Sequence, residues 1–172
     1  MRGLNQSGFC SYDPGFANTA GCQSAISWID TENSVLLHRG YPVDQLARQC
    51  DFLEVAYIML NGDAPDEASY QTFRETITRH TLVHEQIARM CSGFRRDSHP
   101  MALMCALVGA LAAFYHDVLD VENPQHRALA ATRLLSKMPT IAAMSYKYTI
   151  EQPAAYPRND LSYAGNFLQM LF

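Results

Sequence analysis

Two histidines and a glutamate form the first group of residues that could do chemistry. His80 and His84 are four residues apart in a segment with a helical pattern, and Glu85 follows the second histidine. Two histidines at this spacing on a helix can share a metal ion. Zinc proteases place the glutamate between the histidines, however, and no third ligand lies nearby in this sequence. We therefore predict no metal site and expect polar or hydrogen-bonded histidines instead.

A basic pair forms the second candidate group. Arg133 and Lys137 are four residues apart and share one face of a predicted helix. Taken alone, such a pair is typical of a solvated face, and a lysine near a helix end also suits the helix dipole. The alternative is a phosphate clamp, because two cations at this spacing can bind one anion. Tyr115 could add a stacking ring if the fold brings it near.

A third group, Arg95, Arg96 and Asp97, precedes a long apolar segment. We interpret it as a hydrogen-bonded corner with Asp97 near a helix N-terminus, and anion binding is the alternative. The sequence contains neither a glycine-rich phosphate loop nor a Gly-x-Ser-x-Gly motif. Spacing alone therefore identifies no active site.

The segment that must position these groups is an apolar run over residues 101–115. Its alanines and leucines favour a helix over a strand, and Ser98 followed by Pro100 predicts the helix start. The run would span roughly 22 Å, less than the ~30 Å hydrocarbon core of a bilayer. We therefore expect a helix buried on nearly all faces, with other helices packed around it.

The remaining pattern predicts a mainly α-helical protein with one small β-hairpin. The hairpin strands cover residues 25–29 and 34–38, and the chain divides into a segment 1–42, irregular up to residue 20, and a helical domain 43–172. Asp51 and Glu54 are spaced as a capping box, and Pro139 is predicted to end a helix that starts at Asn123. Further helices are expected over residues 43–48, 82–90, 140–147 and 161–172. The last one ends in dense apolar residues without a cap, which predicts that the chain is cut inside it.

Composition excludes several functional classes. Among 172 residues, 48% are apolar and 17% charged, which argues against disorder, and the net charge of −4 gives no overall attraction to nucleic acid or to an acidic membrane. Five widely spaced cysteines form no Cys-x-x-Cys pair, so a reduced, cytoplasmic setting is expected.

Longer strings in the sequence resemble a known family. The densest are residues 79–86 (RHTLVHEQ) and 94–101 (FRRDSHPM). Others are residues 12–20, 37–47, 54–62, 134–140 and 156–167. Together they resemble bacterial citrate synthases, most closely the hexameric branch that NADH inhibits, and the resemblance runs over nearly the whole chain from Phe9. Residues 30–34 depart from the family, which usually carries an Asp-Gly and a later glycine at this turn.

The resemblance implies part of the large helical domain of an acyltransferase that condenses acetyl-CoA with oxaloacetate to citrate and CoA. No catalytic residue is expected in this chain, because the family's catalytic histidines, aspartate and arginines come from later segments. No cofactor is required, a homodimer or hexamer of dimers is implied, and neither nucleic acid nor a membrane is a partner. A 2-methylcitrate synthase, which uses propionyl-CoA, and a non-catalytic helical regulatory module are the alternatives.

The resemblance also implies an allosteric NADH site on this part of the family's fold. The matching positions are Arg79, His80, Thr81, Tyr115, Arg133, Lys137 and Asn159. This match moves the interpretation of Arg133 and Lys137 from a solvated face towards a phosphate clamp.

Overall fold

The computed structural model describes residues 12–16, 18 and 22–172. The chain divides into two compact units, Met1–Gln49 and Cys50–Phe172. Most of the segment expected to be irregular, together with Phe9 and Cys10, lies outside the described residues.

The first unit contains a small antiparallel sheet of strands β1 (Ser27–Asp30), β2 (Val35–His38) and β3 (Tyr41–Pro42). The predicted hairpin is confirmed, with Trp28 opposite Leu37, and residues 41–42 add a third strand that pairs with β2. The Asp30 carboxylate accepts the backbone N–H groups of Glu32 and Asn33, so a side chain closes the turn.

Helix α1 (Val43–Gln49) follows β3 directly and packs against β2 and β3. The first unit therefore includes α1 and extends to Gln49. The buried side chain of α1 is Leu46.

The second unit is helical. Helices α2 (Phe52–Asn61) and α3 (Glu67–Arg79) begin at the side-chain caps Asp51 and Asp66. The capping box of Asp51 and Glu54 is present as predicted, and Gly62 ends α2 with a φ of +97° that favours glycine. The other helices are α4 (Glu85–Met90), α5 (Pro100–Phe114), α6 (Pro124–Thr149) and α7 (Tyr163–Leu171). Helix α4 is shorter than the predicted 82–90, because the chain first crosses α6 in an extended segment that His84 ends as N-cap.

Helix α5 corrects two expectations. His99 caps it rather than Ser98, since the imidazole Nδ1 accepts the backbone N–H of Met101. Its burial is also one-sided. Leu103, Leu107 and Leu111 are buried, whereas Met101 is 55% exposed and Cys105 is exposed. The predicted burial on nearly all faces was wrong for this chain, because α4 and α6 leave part of the surface of α5 open.

Helix α6 runs as one helix through Pro139, so the predicted break at this proline was wrong. Proline lacks the N–H that would normally bond to the carbonyl four residues earlier, that of Leu135. The Tyr163 hydroxyl donates a hydrogen bond of 2.8 Å to this carbonyl, which satisfies it from outside the helix. Tyr163 also stacks on Phe52, with ring centroids 4.5 Å apart, and thereby joins α7 to α2.

The core of the second unit lies where α4, α5 and α6 meet. Its buried members are Ile87, Cys91, Leu107, Leu111, Ile141 and Met144. Over the described part of the chain, every helix is too short or too polar to traverse a lipid bilayer.

Candidate functional site

The segment between α3 and α4 forms one wall of the candidate site. His80 ends α3, and its Nδ1 lies 2.7 Å from the carbonyl oxygen of Thr76. The Thr81 hydroxyl donates to the Thr78 carbonyl. Both side chains therefore bond to the end of their own helix, while the backbone carbonyls of residues 80–82 accept bonds from α6.

Lys137 and Thr140 supply those bonds. The Lys137 ammonium donates to the carbonyls of His80 (2.7 Å) and Leu82 (2.5 Å), and the Thr140 hydroxyl donates to the Thr81 carbonyl (2.8 Å). Lys137 is only 3% exposed, so the solvated-face interpretation is wrong for this residue. A buried ammonium in an apolar interior requires such acceptors, and here it holds the 80–82 segment against α6.

Tyr115 lies beneath both cations. The Arg133 guanidinium carbon is 4.6 Å from the centre of the Tyr115 ring, and the Lys137 nitrogen is 5.3 Å from it. These distances are within the range of cation–π attraction. We call His80, Thr81, Tyr115, Arg133 and Lys137 the Tyr115 cluster.

Asp117 completes the electrostatics of the Tyr115 cluster. Its two carboxylate oxygens accept hydrogen bonds of 3.0 and 3.3 Å from the two terminal nitrogens of Arg133. These bonds hold the pKa of Asp117 below its usual range. Burial, and then the nearby charge of Arg133, lower the pKa of Lys137. The site thus concentrates two positive charges over one aromatic ring, with one carboxylate at its edge.

Arg79 and Asn159 lie in a neighbouring concavity of about 290 Å³ rather than in the Tyr115 cluster. Arg79 bonds to Glu75 at 2.8 Å and is largely exposed. The seven residues implied by the resemblance therefore fall into two groups. The Tyr115 cluster holds five, and Arg79 and Asn159 line a shallow surface depression together with Gln71, Arg74, Glu75 and Thr78.

The other candidates occupy structural roles. His80 and His84 belong to different helix ends, and within residues 12–16, 18 and 22–172 no three His, Cys, Asp or Glu side chains are grouped to hold a metal. Arg95 makes a two-point contact with Asp97 at 2.8 and 2.6 Å, as the hydrogen-bonded-corner interpretation requires. Arg96 lies over the ring of Tyr148 instead.

Sequence reasoning did not find Thr140 or Asp117. Thr140 follows Lys137 by three residues, so helical spacing places both on one face. This spacing could have identified Thr140 from the sequence. Asp117 lies in a short 3₁₀ turn over residues 116–118, where no periodic pattern indicates the direction of a side chain.

The chain is similar in sequence and in fold to known proteins. The profile of the family described as "Citrate synthase, C-terminal domain" matches residues 15–172. A citrate synthase structure from Pyrobaculum aerophilum is 28% identical, with a TM-score of 0.83 over 92% of this chain and 41% of its own. One from Thermotoga maritima MSB8 is 25% identical, with a TM-score of 0.78 over 94% of this chain and 42% of its own.

A third structure shows the same fold at 23% identity. It is a ternary complex of carboxymethyl coenzyme A and oxaloacetate with citrate synthase from Thermoplasma acidophilum, with a TM-score of 0.81 over 90% of this chain and 40% of its own. The chain thus spans about two fifths of the length of each structure that it resembles.

Proposed function

Because the chain belongs to the citrate synthase family, we propose that it is the N-terminal part of an acyltransferase that condenses acetyl-CoA with oxaloacetate to citrate and CoA. The observation that carries this proposal is the family match over residues 15–172. A structure with the same fold holds a CoA derivative and oxaloacetate, which supports these two substrates. We assign no catalytic residue to this chain, and its role is to supply part of the helical scaffold. We further propose a cytoplasmic location, supported by the wide spacing of the five cysteines in the sequence.

Release of CoA tests the proposed reaction. The full-length protein should release CoA from acetyl-CoA only when oxaloacetate is present, and the 172-residue chain by itself should release none. Propionyl-CoA provides the second arm, because faster turnover with it would identify a 2-methylcitrate synthase. Absence of turnover with either donor in the full-length protein would leave the non-catalytic helical module as the function.

The proposed effector of this protein is NADH, bound at the Tyr115 cluster. Three features support it: the guanidinium of Arg133 suits a two-point contact with phosphate, Lys137 adds a second positive charge, and both lie over an aromatic ring. Arg79 and Asn159 would extend the site into the neighbouring concavity, where the rest of a dinucleotide could lie.

Inhibition by NADH tests the effector site. In the full-length protein, Arg133→Ala should weaken NADH inhibition and leave turnover without NADH near normal. Arg95→Ala is the matched control, because Arg95 also binds an aspartate at two points but lies in the loop before α5, away from the Tyr115 cluster. Lys137→Ala is a less informative variant than Arg133→Ala, because it also removes the hydrogen bonds that hold residues 80–82 against α6. Unchanged NADH sensitivity in Arg133→Ala would contradict the proposed site.

We also propose that the protein forms a homodimer or a hexamer of dimers. The support is an apolar concavity that Val108, Ala112, Leu119 and Leu134 line together, with Leu119 and Leu134 exposed. Contiguous apolar surface of this kind is typical of protein–protein contacts. Sedimentation of the full-length protein should give a dimer or larger species, and a monomer at micromolar concentration would contradict this proposal.

A further inference from the structure

Both cations of the Tyr115 cluster already have partners within this chain. The Arg133 guanidinium binds the Asp117 carboxylate at two points, and the Lys137 ammonium binds the carbonyls of His80 and Leu82. An anion that enters the site must therefore displace a partner or share one. Which partner leaves depends on what each would lose.

Lys137 is the cation that keeps its partners. It is almost completely buried, and its two acceptors are backbone carbonyls in the 80–82 segment. Displacing them would leave an almost completely buried ammonium without its acceptors, which is costly in an interior. The Lys137 bonds are consequently part of the fixed structure of the site.

Arg133 is the cation that can exchange its partner. The Arg133 side chain is 18% exposed, whereas the Asp117 side chain is 58% exposed and can return to water when released. Carboxylate and phosphate oxygens bind the same edge of a guanidinium in the same two-point geometry. Because Asp117 uses both terminal nitrogens of Arg133, a phosphate cannot make that contact while Asp117 does.

From this geometry we propose that Asp117 is a built-in competitor for the anionic ligand of Arg133. Its carboxylate binds the Arg133 guanidinium when no ligand is bound, and the phosphate of the ligand replaces the carboxylate on binding. Asp117 thereby sets the ligand concentration at which the site fills. This inference rests on the proposed NADH site and adds the residue that opposes NADH binding there.

The expected effect is moderate. An ion pair with one exposed partner is weak, and its removal corresponds to a factor of up to about five in affinity. Removing the charge of Asp117 should therefore tighten NADH binding by about two- to fivefold. The gain should disappear when Arg133 is absent, because the competition acts through that side chain.

A double-mutant cycle in the full-length protein tests the proposal, with the dissociation constant of NADH measured by its fluorescence. Asp117→Asn should bind NADH more tightly than the unsubstituted protein, and it should have no effect in an Arg133→Ala background. Glu122→Gln is the control for net charge, because Glu122 is an exposed acid a few residues away, and it should leave NADH affinity unchanged.

Each other outcome overturns a specific statement. If Asp117→Asn weakens NADH binding, Asp117 positions Arg133 for the ligand rather than competing with it. If it tightens binding equally with and without Arg133, or if Glu122→Gln does the same, the effect is general repulsion and competition is refuted. If the unsubstituted protein and all variants bind no NADH, the proposed NADH site itself is wrong.

Discussion

Helices α5 and α6 reverse the expectation that composition sets for them. Residues 101–114 of α5 carry no charged side chain, yet only its Leu103, Leu107 and Leu111 are buried. Helix α6 carries several cations and hydroxyls, yet it is the more deeply buried helix. Its buried polar residues are Ser136, Lys137, Thr140, Ser145 and Lys147.

The difference shows that burial follows the placement of neighbours as much as hydropathy. Helix α6 has α3, α5 and α7 packed along it, and the extended 80–82 segment crosses it as well. Lys137 and Thr140 are compatible with this burial because loop carbonyls accept their hydrogen bonds. Helix α5 packs mainly against α4 and α6, so part of its apolar surface stays open in this chain.

Among these tests of the contrast between α5 and α6, Lys137→Met should lower stability the most. The substitution keeps an apolar chain of similar length but removes the donor to the carbonyls of His80 and Leu82. We expect the free energy of unfolding, measured by urea titration, to fall by about 2–4 kcal/mol, because two part-buried backbone acceptors lose a charged donor.

Arg89→Met is the matched control for Lys137→Met. Arg89 is a helical cation that bonds to Glu85 at the surface, and exposed pairs of this kind contribute about 0.3–0.5 kcal/mol. A loss below about 1 kcal/mol for Lys137→Met would mean that the buried bonds of α6 contribute little, and that its burial depends on apolar packing alone.

Tyr163→Phe should have the next largest effect. The phenylalanine ring can keep the stacking on Phe52, but the Leu135 carbonyl would lose the donor that replaces the missing N–H of Pro139. We expect a loss of about 1–2 kcal/mol in the free energy of unfolding. In a Pro139→Ala background the helix regains its own N–H donor, so the same substitution should cost less there. Equal losses in both backgrounds would contradict the link between Tyr163 and Pro139.

The sequence predicted the local features of these helices well and their surroundings poorly. The capping box at Asp51, the hairpin and the start of α6 at Asn123 depend on residues within a few positions of one another, and all were predicted. The passage of α6 through Pro139 depends on a hydroxyl 28 residues from Leu135, so no local pattern could indicate it.

The candidate site shows the same division. Helical spacing brought Arg133 and Lys137 together, with Tyr115 as a candidate ring for them, and the family resemblance placed His80 and Thr81 in the same group. The structure puts the Tyr115 ring against both cations and the His80 carbonyl against Lys137. The partners of the two cations were not predicted. Every residue has a backbone carbonyl, so the sequence does not indicate that those of His80 and Leu82 bind Lys137. Asp117 reaches Arg133 only because of the turn after α5.

Alkaline pH should also weaken the contact between α6 and α7 that the Tyr163 hydroxyl makes with the Leu135 carbonyl. Burial raises the pKa of Tyr163 to about 12, from an ordinary value of 10.0. The unfolded chain therefore loses this proton at a lower pH than the folded chain, so stability is full below about pH 10 and falls as pH rises towards 12. The unfolding free energy of the unsubstituted protein should drop more steeply over this window than that of Tyr163→Phe. Identical slopes would mean that Tyr163 titrates as an exposed phenol.

Met101→Ala should have the smallest effect on stability, and it tests the exposed surface of α5. Met101 is 55% exposed, so truncating it should change the unfolding free energy of a single chain by less than about 0.5 kcal/mol, although the helix around it is wholly apolar. The measurement is urea unfolding at several protein concentrations. A loss that grows with concentration would show that another copy of the chain covers this face, because association stabilises the folded state by mass action. The apolar composition of α5 would then describe its environment in the assembly, and the contrast with α6 would hold only within one chain.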